Sequence, residues 1–163
     1  MDMKRYFIKE ENMDVHITEW GSRRKPVIFC LHGLGSTGFS FIELAEKLKE
    51  YFCLIAIAMP GHGKTSPFAE LEEYEYPHLA AWVNQIPEKL EINTFYFLSH
   101  SWGSFTSLFY LSMFPEKVLS AILVDGGYQT KWRKGETMEK EAAYYEKNFN
   151  EYVFNSWDDF LTA

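Results

Sequence analysis

The sequence has few of the residues from which metal sites, membrane spans or nucleic-acid surfaces are built. Only two of its 163 residues are cysteines, and both Cys30 and Cys53 lie inside apolar runs, where buried reduced thiols rather than metal ligands are expected. No uninterrupted apolar run approaches the length of a membrane-spanning helix. The formal net charge is -7, and without a basic cluster this charge argues against a nucleic-acid partner and against an anionic membrane surface.

The N-terminal stretch "MDMKRYFIKEENMD" also lacks the apolar centre of a secretory signal peptide. By elimination, these absences predict a cytoplasmic protein. What the chain does contain is apolar: 47% of its residues are hydrophobic and 18% are aromatic. A chain of this length and composition is expected to fold as one globular domain.

Two short segments near the N-terminus, "KRYFIKE" and "DVHITEW", alternate polar with apolar residues, which predicts a β-hairpin. Farther along, continuous apolar runs alternate with segments of helical spacing, as is typical of βαβ units. The sequence therefore predicts an α/β fold with a mostly parallel sheet, flanking helices and an N-terminal hairpin. The predicted buried strands are "PVIFCLHG", "CLIAIA", "TFYFLSH" and "VLSAILVDGG", and the predicted helices are "FSFIELAEKLKEYF", "LAAWVNQIPEKLEI" (interrupted or kinked at Pro87) and "WGSFTSLFYLSMF".

The character of the sequence changes after Gly127. Residues 1–127 carry all of the strand signals, whereas residues 128–163 are charged and aromatic, favour helix and carry no strand signal. We therefore expect a core at 1–127 and an appendage on its sheet at 128–163.

Chemistry is expected at the carboxyl ends of the strands, where open α/β sheets bind their ligands. The third predicted strand runs into "LSHSWGS", where strand, sharp turn and helix follow one another. This is the context of a nucleophile elbow, which would project the Ser101 hydroxyl from the top of the sheet. The elbow needs small residues two positions before and after the nucleophile; Gly103 meets this need, and Ser99 stands in place of the usual glycine. The alternative is that Ser99 and Ser101 are ordinary polar residues capping a helix.

The stretch "LHGLGS" after the first buried strand predicts the other half of an acyl-transfer site. The oxyanion formed during acyl transfer needs fixed hydrogen-bond donors, and the Trp102 N–H directly after the serine would be one of them. Gly33 and Gly35 allow a tight turn that leaves the N–H of Leu34 uncovered as the second donor. His32, at the strand end, is predicted to be structural, with its side chain hydrogen-bonded to its own loop.

A rival interpretation comes from "AMPGHGKTS", residues 58–66, which nearly satisfies a phosphate-loop pattern with alanine for the first glycine. In that case Asp125 would bind magnesium at the end of another strand. Three features oppose it: several glutamates follow the loop instead of a helix start, Pro60 removes a backbone N–H, and an ordinary loop is expected here by the resemblance described next. The sequence therefore favours a loop in which Lys64 is solvated.

Together, "HGLGS", "MPGHGKTS", "SHSWGS" and "LVDGG" resemble the α/β-hydrolase superfamily in their order and intervals, over Tyr6 to about Gly127. The resemblance implies that Ser101 is the nucleophile and that the N–H groups of Leu34 and Trp102 form the oxyanion hole. It also implies that residues 128–163 begin a helical lid and that no cofactor is needed.

Such enzymes use a histidine base oriented by a carboxylate, in the chain order serine, acid, histidine. Asp125, which ends the fourth predicted strand, is the candidate acid; otherwise it ties down the loop of Gly126 and Gly127. No histidine follows Ser101 in the sequence. We therefore expect an incomplete α/β-hydrolase fold that stops within the lid and is nearly inert alone. Its apolar edge strand, "AILVD", would invite copies of the chain to self-associate.

Aromatic residues indicate the substrate class. Phe39 and Trp102, with Tyr128 and Trp132 beyond the last strand, could form an apolar pocket near Ser101, or they could simply pack in the lid and core. Such a pocket predicts a small, hydrophobic ester, lactone or related acyl compound. Because a fold does not fix its chemistry, a non-catalytic binding module of the same fold is the alternative.

Overall fold

A computed structural model describes residues 3–10 and 12–127, and these residues form one six-stranded sheet with helices on its faces. The order of strands across the sheet is β1-β2-β4-β3-β5-β6. The strands are β1 (Met3–Glu10), β2 (Met13–Trp20), β3 (Val27–Leu31), β4 (Cys53–Ile57), β5 (Phe95–His100) and β6 (Val118–Val124). The α-helices are α1 (Ile42–Leu48), α2 (Tyr76–Lys89) and α3 (Trp102–Met113), and short 3-10 helices occupy Gly38–Phe41, Leu71–Tyr74 and Pro115–Lys117.

The sheet is mixed, as predicted. β1 and β2 form the N-terminal hairpin, and β2 pairs antiparallel with β4. From β4 onward the pairs β4–β3, β3–β5 and β5–β6 are all parallel. The carboxyl ends of these four strands therefore meet at one edge of the sheet, which is where the loops singled out in the sequence emerge.

Apolar side chains cover both faces of the sheet. The larger buried cluster joins strand residues such as Phe29 and Phe97 to α2 and to Tyr110 of α3. The smaller cluster contains Phe41 and Ala45, from the start of α1, against the opposite face. One polar contact joins α3 to α2 within this packing: the Tyr110 hydroxyl donates a 2.9 Å hydrogen bond to Asn84. Both cysteines are buried and reduced, as predicted.

Two helices differ from their predicted form. The predicted helix around α1 is shorter and begins with a 3-10 turn, in which the Thr37 hydroxyl accepts the Phe39 N–H. Helix α2 runs through Pro87 and ends two residues later at Lys89, so the expected interruption at the proline does not occur. None of the helices among the described residues is both long and apolar enough to cross a membrane.

The apolar run of β6 predicted a buried strand, and the incomplete fold predicted that this strand would end the sheet; as far as the structure describes it, β6 does lie at the edge. Its burial alternates between half-buried and exposed positions, whereas β3 and β4 are buried at every position. An apolar run predicts burial on both faces only if strands flank it on both sides. The run alone cannot indicate which strand ends the sheet.

The loop at 58–66 is bound to the hairpin rather than arranged around a phosphate. The Thr65 hydroxyl accepts the buried backbone N–H of His16 at 3.0 Å, and the Ser66 hydroxyl accepts the Asp14 N–H at 3.2 Å. Lys64 is exposed, and the next α-helix begins only at Tyr76. Because the threonine hydroxyl is already engaged, and no helix N-terminus follows the loop, the phosphate-loop interpretation loses its geometric basis.

We predict that Thr65→Val lowers the free energy of unfolding by about 1–3 kcal/mol, because it leaves the buried His16 N–H without an acceptor. Lys64→Ala should change it by less than about 0.5 kcal/mol, as is usual for a solvated side chain. Urea denaturation followed by circular dichroism measures both. Micromolar ATP or GTP binding in calorimetry, lost in Lys64→Ala, would restore the phosphate-loop interpretation.

Candidate active site

Ser101 lies between β5 and α3 in a backbone conformation that serine rarely adopts. Its φ is 48° and its ψ is -116°, outside the regions favoured by residues with a Cβ. Such strain costs on the order of 1–3 kcal/mol and persists only where surrounding contacts impose it. The contacts here are hydrogen bonds on both sides: the Ser101 N–H donates to Val124 O at 2.8 Å, and its carbonyl accepts the Ser104 N–H at 2.8 Å.

The two small residues expected beside the elbow are present for different reasons. A Cβ added to Gly103 would lie 2.7 Å from the Leu31 carbonyl carbon and 2.8 Å from the His32 oxygen, so the first turn of α3 crosses the end of β3 with no room for a side chain. Ser99 is completely buried in β5, and its hydroxyl has no hydrogen-bond partner among the described residues. Position 103 therefore requires glycine, whereas position 99 accepts a serine, whose buried hydroxyl stays unpaired.

The loop after β3 approaches the elbow directly. A Cβ added to Gly33 would lie 3.3 Å from the Ser101 Cβ and 2.7 Å from Nδ1 of His100. Gly35 has φ of 71°, which a glycine adopts without strain, and the side chain of Leu34 between these glycines is about half exposed. Neither the Leu34 N–H nor the Trp102 N–H donates to any group among the residues that the structure describes.

His32 is held as a neutral imidazole beneath this loop. Its Nε2 accepts the Met59 N–H at 3.0 Å, so the proton is on Nδ1, which donates to Gly33 O at 2.8 Å. The ring is completely buried, and desolvation lowers the pKa of His32 to about 4. The expected structural role is consistent with this geometry, because both ring nitrogens hold backbone groups of the two loops that flank the site.

His62 makes a second connection between these loops, and sequence reasoning assigned it no role. Its Nε2 accepts the Gly35 N–H at 3.1 Å, and its Nδ1 donates to Pro60 O at 2.9 Å. The ring also contacts those of His32 and Trp102, with centroids 5.1 Å and 5.2 Å away. The "PGHG" stretch signalled a loop in the sequence, but nothing in it indicated that its histidine would reach Gly35, because this contact spans 27 residues.

Asp125, the candidate acid, follows β6 with φ of 49° and an exposed side chain. Its side chain makes no hydrogen bond or ion pair to any other described residue. The neighbouring Val124 carbonyl accepts from both the Ser101 N–H and the Ser104 hydroxyl, so the end of β6 is fastened to the elbow by its backbone. The alternative role for Asp125, tying down the loop of Gly126 and Gly127, has no described contact to support it.

The predicted pocket is described only in part. Trp102 is half-buried against His62, whereas Phe39 is 39% exposed and its ring packs under the guanidinium of Arg5, 4.8 Å away. Tyr128 and Trp132 lie outside the described residues, as does the whole predicted lid at 128–163. The described contacts therefore do not join Phe39 to Trp102 in one pocket.

Comparison with known sequences assigns the chain to a family. The model of a family described as "alpha/beta hydrolase fold" matches residues 26–156. A serine hydrolase-like protein of Mus musculus is 33% identical over 106 residues, covering 65% of this chain and 34% of that protein. A bifunctional esterase/perhydrolase of Acinetobacter calcoaceticus is 28% identical over 122 residues, covering 73% of this chain and 43% of that protein. The chain thus spans about a third to a half of the length of such curated relatives.

Solved structures share the fold at low sequence identity. An epoxide hydrolase from Vigna radiata superposes with a TM-score of 0.76 at 18% identity, covering 91% of this chain and 48% of that chain. The thioesterase domain from the curacin biosynthetic pathway gives a TM-score of 0.72 at 21% identity, covering 93% of this chain and 55% of its own. At such identities these likenesses establish the arrangement of strands and helices, and not the chemistry.

We predict that Gly103→Ala destabilises the protein by at least about 1–3 kcal/mol, because the new methyl group overlaps the backbone at the end of β3. Ser99→Ala is the matched control; it removes an unpaired buried hydroxyl and should leave stability unchanged or slightly raised. Thermal unfolding of both variants tests this. Equal stability of wild type and Gly103→Ala would show that α3 and β3 are farther apart than described.

We also predict a loss of stability in mild acid. His32 has a pKa of about 4 when folded and an ordinary value of 6.5 when exposed, so the unfolded chain binds more protons between these pH values. The free energy of unfolding should therefore fall as the pH drops from 6.5 towards 4, by up to about 3 kcal/mol from this residue. His16, whose pKa burial also lowers, acts in the same direction.

Urea denaturation at a series of pH values measures this dependence. In His32→Gln the slope between about pH 7 and pH 5 should flatten, because the remaining carboxylates titrate mostly below this window. His78→Gln, which alters an exposed ring, is the control and should keep the wild-type slope. An unchanged slope in His32→Gln would contradict the assignment of His32 as a neutral buried group.

Proposed function

The chain belongs to the α/β-hydrolase fold family, and we propose that it supplies the nucleophile and oxyanion hole of a serine hydrolase acting on a small hydrophobic ester, lactone or related acyl compound. In this proposal Ser101 is the nucleophile, and the N–H groups of Leu34 and Trp102 receive the oxyanion. No cofactor takes part. The single observation that carries the proposal is the strained backbone of Ser101 at the strand-to-helix junction, against which Gly33 of the loop after β3 packs. The N–H groups of Leu34 and Trp102 have no acceptor among the described residues, which leaves them available in this proposal.

The strain at Ser101 supports a functional role because the start of a helix does not require it. A helix-capping serine has an extended backbone and accepts a hydrogen bond from the first turn. Ser101 instead has φ of 48°, and its side chain makes no capping hydrogen bond. Residues held in sparsely populated conformations cluster at active sites, because the surrounding fold maintains them for their side-chain direction.

The loops around Ser101 fit the requirements of acyl transfer. Attack of a hydroxyl on an acyl carbon places negative charge on the former carbonyl oxygen, and preorganised N–H groups stabilise that charge. The loop that carries Leu34 is fixed by His32 through Gly33 and by His62 through Gly35. Donors held before the substrate arrives need no reorganisation during the reaction, which is the main contribution of an oxyanion hole.

The relatives include proteins named serine hydrolase-like and proteins named epoxide hydrolase. In this chain the serine at position 101 favours acyl chemistry over epoxide opening. Opening of an epoxide displaces an oxygen from a saturated carbon and creates no tetrahedral oxyanion at a carbonyl. A serine hydroxyl beside a pair of amide donors suits a carbonyl carbon better. Trp102, half-buried next to Ser101, would give an apolar wall for the acyl or alcohol portion of the substrate.

The base that would activate Ser101 is the missing component. The ring nitrogens of His32 and His62 are both engaged with backbone groups, and no histidine follows Ser101 in the sequence. Because the chain order of such enzymes places the base after the nucleophile, the proposal needs a base from outside residues 1–163, with Asp125 as the candidate carboxylate that would orient it. Without that base, the same fold could serve as a non-catalytic binding module.

A fluorophosphonate probe with mass-spectrometric site mapping distinguishes the two functions. We predict that this chain is labelled at Ser101 only slowly, and that millimolar imidazole, acting as a soluble base, accelerates the labelling. Ser101→Ala should abolish it, whereas Ser112→Ala, which alters an exposed hydroxyl on α3, should not. Rapid labelling without imidazole would contradict the missing-base interpretation. Absence of Ser101 labelling even with imidazole would favour the binding module.

A further inference from the structure

His62 contacts both of the chain segments that carry the proposed oxyanion donors. The first donor, the Leu34 N–H, lies on the loop after β3, and the His62 Nε2 accepts the N–H of the next residue, Gly35, at 3.1 Å. The second donor is the N–H of Trp102, whose ring centroid lies 5.2 Å from that of His62. His62 itself belongs to the loop after β4, where its Nδ1 donates to Pro60 O at 2.9 Å. One side chain from a third segment therefore joins the other two.

The direction of the Leu34 N–H depends on the two peptide planes that meet at the Leu34 Cα. The plane before it contains the Gly33 carbonyl, which accepts a hydrogen bond from the His32 Nδ1 at 2.8 Å. The plane after it contains the Gly35 N–H, which donates to His62. A peptide unit is planar, so a hydrogen bond to one of its groups also fixes the direction of the others. Each histidine thus holds one plane, and neither plane can turn without losing its bond.

We propose that His62 is a positioning residue of the oxyanion hole: its acceptor nitrogen keeps the Leu34 N–H at the spacing from the Trp102 N–H at which both can bind one oxyanion. This inference rests on the proposed function of Ser101. The role concerns the reaction more than the stability of the fold, because Gly35 is exposed. Water can accept the Gly35 N–H once His62 is replaced, so the fold loses little, but water does not hold the loop in place.

The hydrogen bond to Gly35, rather than the ring contact with Trp102, is the part of His62 that this role needs. A hydrogen bond is directional and defines where the Gly35 N–H points, whereas aromatic contacts tolerate a range of offsets. Glutamine keeps an acceptor at the reach of Nε2 but has no ring, and phenylalanine keeps the ring but has no acceptor. The substitutions His62→Gln and His62→Phe therefore separate the two contacts.

Saturation kinetics of fluorophosphonate labelling, with imidazole as the soluble base, test this role. We expect His62→Phe to lower the maximal rate of Ser101 labelling by about tenfold or more, because a displaced donor interacts weakly with the phosphonyl oxygen. The probe concentration at half the maximal rate should stay unchanged, since negative charge on that oxygen develops only after binding. His62→Gln should retain most of the wild-type rate, because its amide oxygen replaces the acceptor.

His78→Phe, which replaces an exposed histidine on α2, is the matched control and should be labelled as the wild type is. Thermal unfolding of each variant accompanies the kinetics, and His62→Phe should unfold close to the wild-type temperature. A slow rate that accompanies a large loss of thermal stability would indicate a merely structural role and would overturn the inference. An equal loss of rate in His62→Gln and His62→Phe would also overturn it, because the ring would then be the important part.

Failure of this inference is distinguishable from failure of the proposed function. Labelling of Ser101 that His62→Phe leaves unchanged would overturn the inference alone. Absence of Ser101 labelling in the wild type, even with imidazole, would overturn the proposed function and the inference with it. Amide hydrogen exchange followed by NMR tests the bond without any reaction at Ser101: the Gly35 amide proton should exchange faster in His62→Phe than in His62→Gln. Equal exchange in the two variants would show that residue 62 does not hold Gly35 and would overturn the inference.

Discussion

The left-handed backbone of Ser101 is the constraint on which the arrangement around it depends. For Ser101 to turn in this way, β5 must end at His100 and α3 must begin at Trp102, with only one residue for the reversal. The first turn of α3 is then pressed against the end of β3, and position 103 has no space for a side chain. The hydrogen bond from the Ser101 N–H to Val124 adds β6 to the same junction. Three parallel strands are therefore held together at the point where the predicted nucleophile emerges.

Two neutral histidines hold together the loops that follow β3 and β4. His32 and His62 each use one ring nitrogen as donor and one as acceptor, and each joins a backbone group of the loop after β3 to one after β4. A lysine or arginine could donate but could not accept at these places, and a charged imidazole would lose its acceptor. Desolvation keeps His32 neutral, so the same burial that shields the ring also preserves its hydrogen bonds.

The sequence predicted those parts of the molecule that depend on local patterns. The alternation of polar and apolar residues predicted the hairpin, and the apolar runs predicted the parallel strands. The strand–turn–helix order around "SHSWGS" located the sharp turn at Ser101. Features that depend on distant contacts were not predictable in this way. The reach of His62 to Gly35 is one of them, because it depends on how two loops meet. The phosphate-loop resemblance at 58–66 was resolved by the hairpin, because Thr65 binds β2, which lies far earlier in the chain.

The hydrogen bond between His62 and Gly35 has an evolutionary consequence. The donor is the main chain of residue 35, whereas the acceptor is the side chain of residue 62, so only a change at residue 62 removes one partner of the bond directly. Among homologous proteins, position 62 should consequently accept only side chains that can present a lone pair at the same reach, such as asparagine or glutamine. A lineage that lost such an acceptor would need a compensating change elsewhere in the glycine-rich turn.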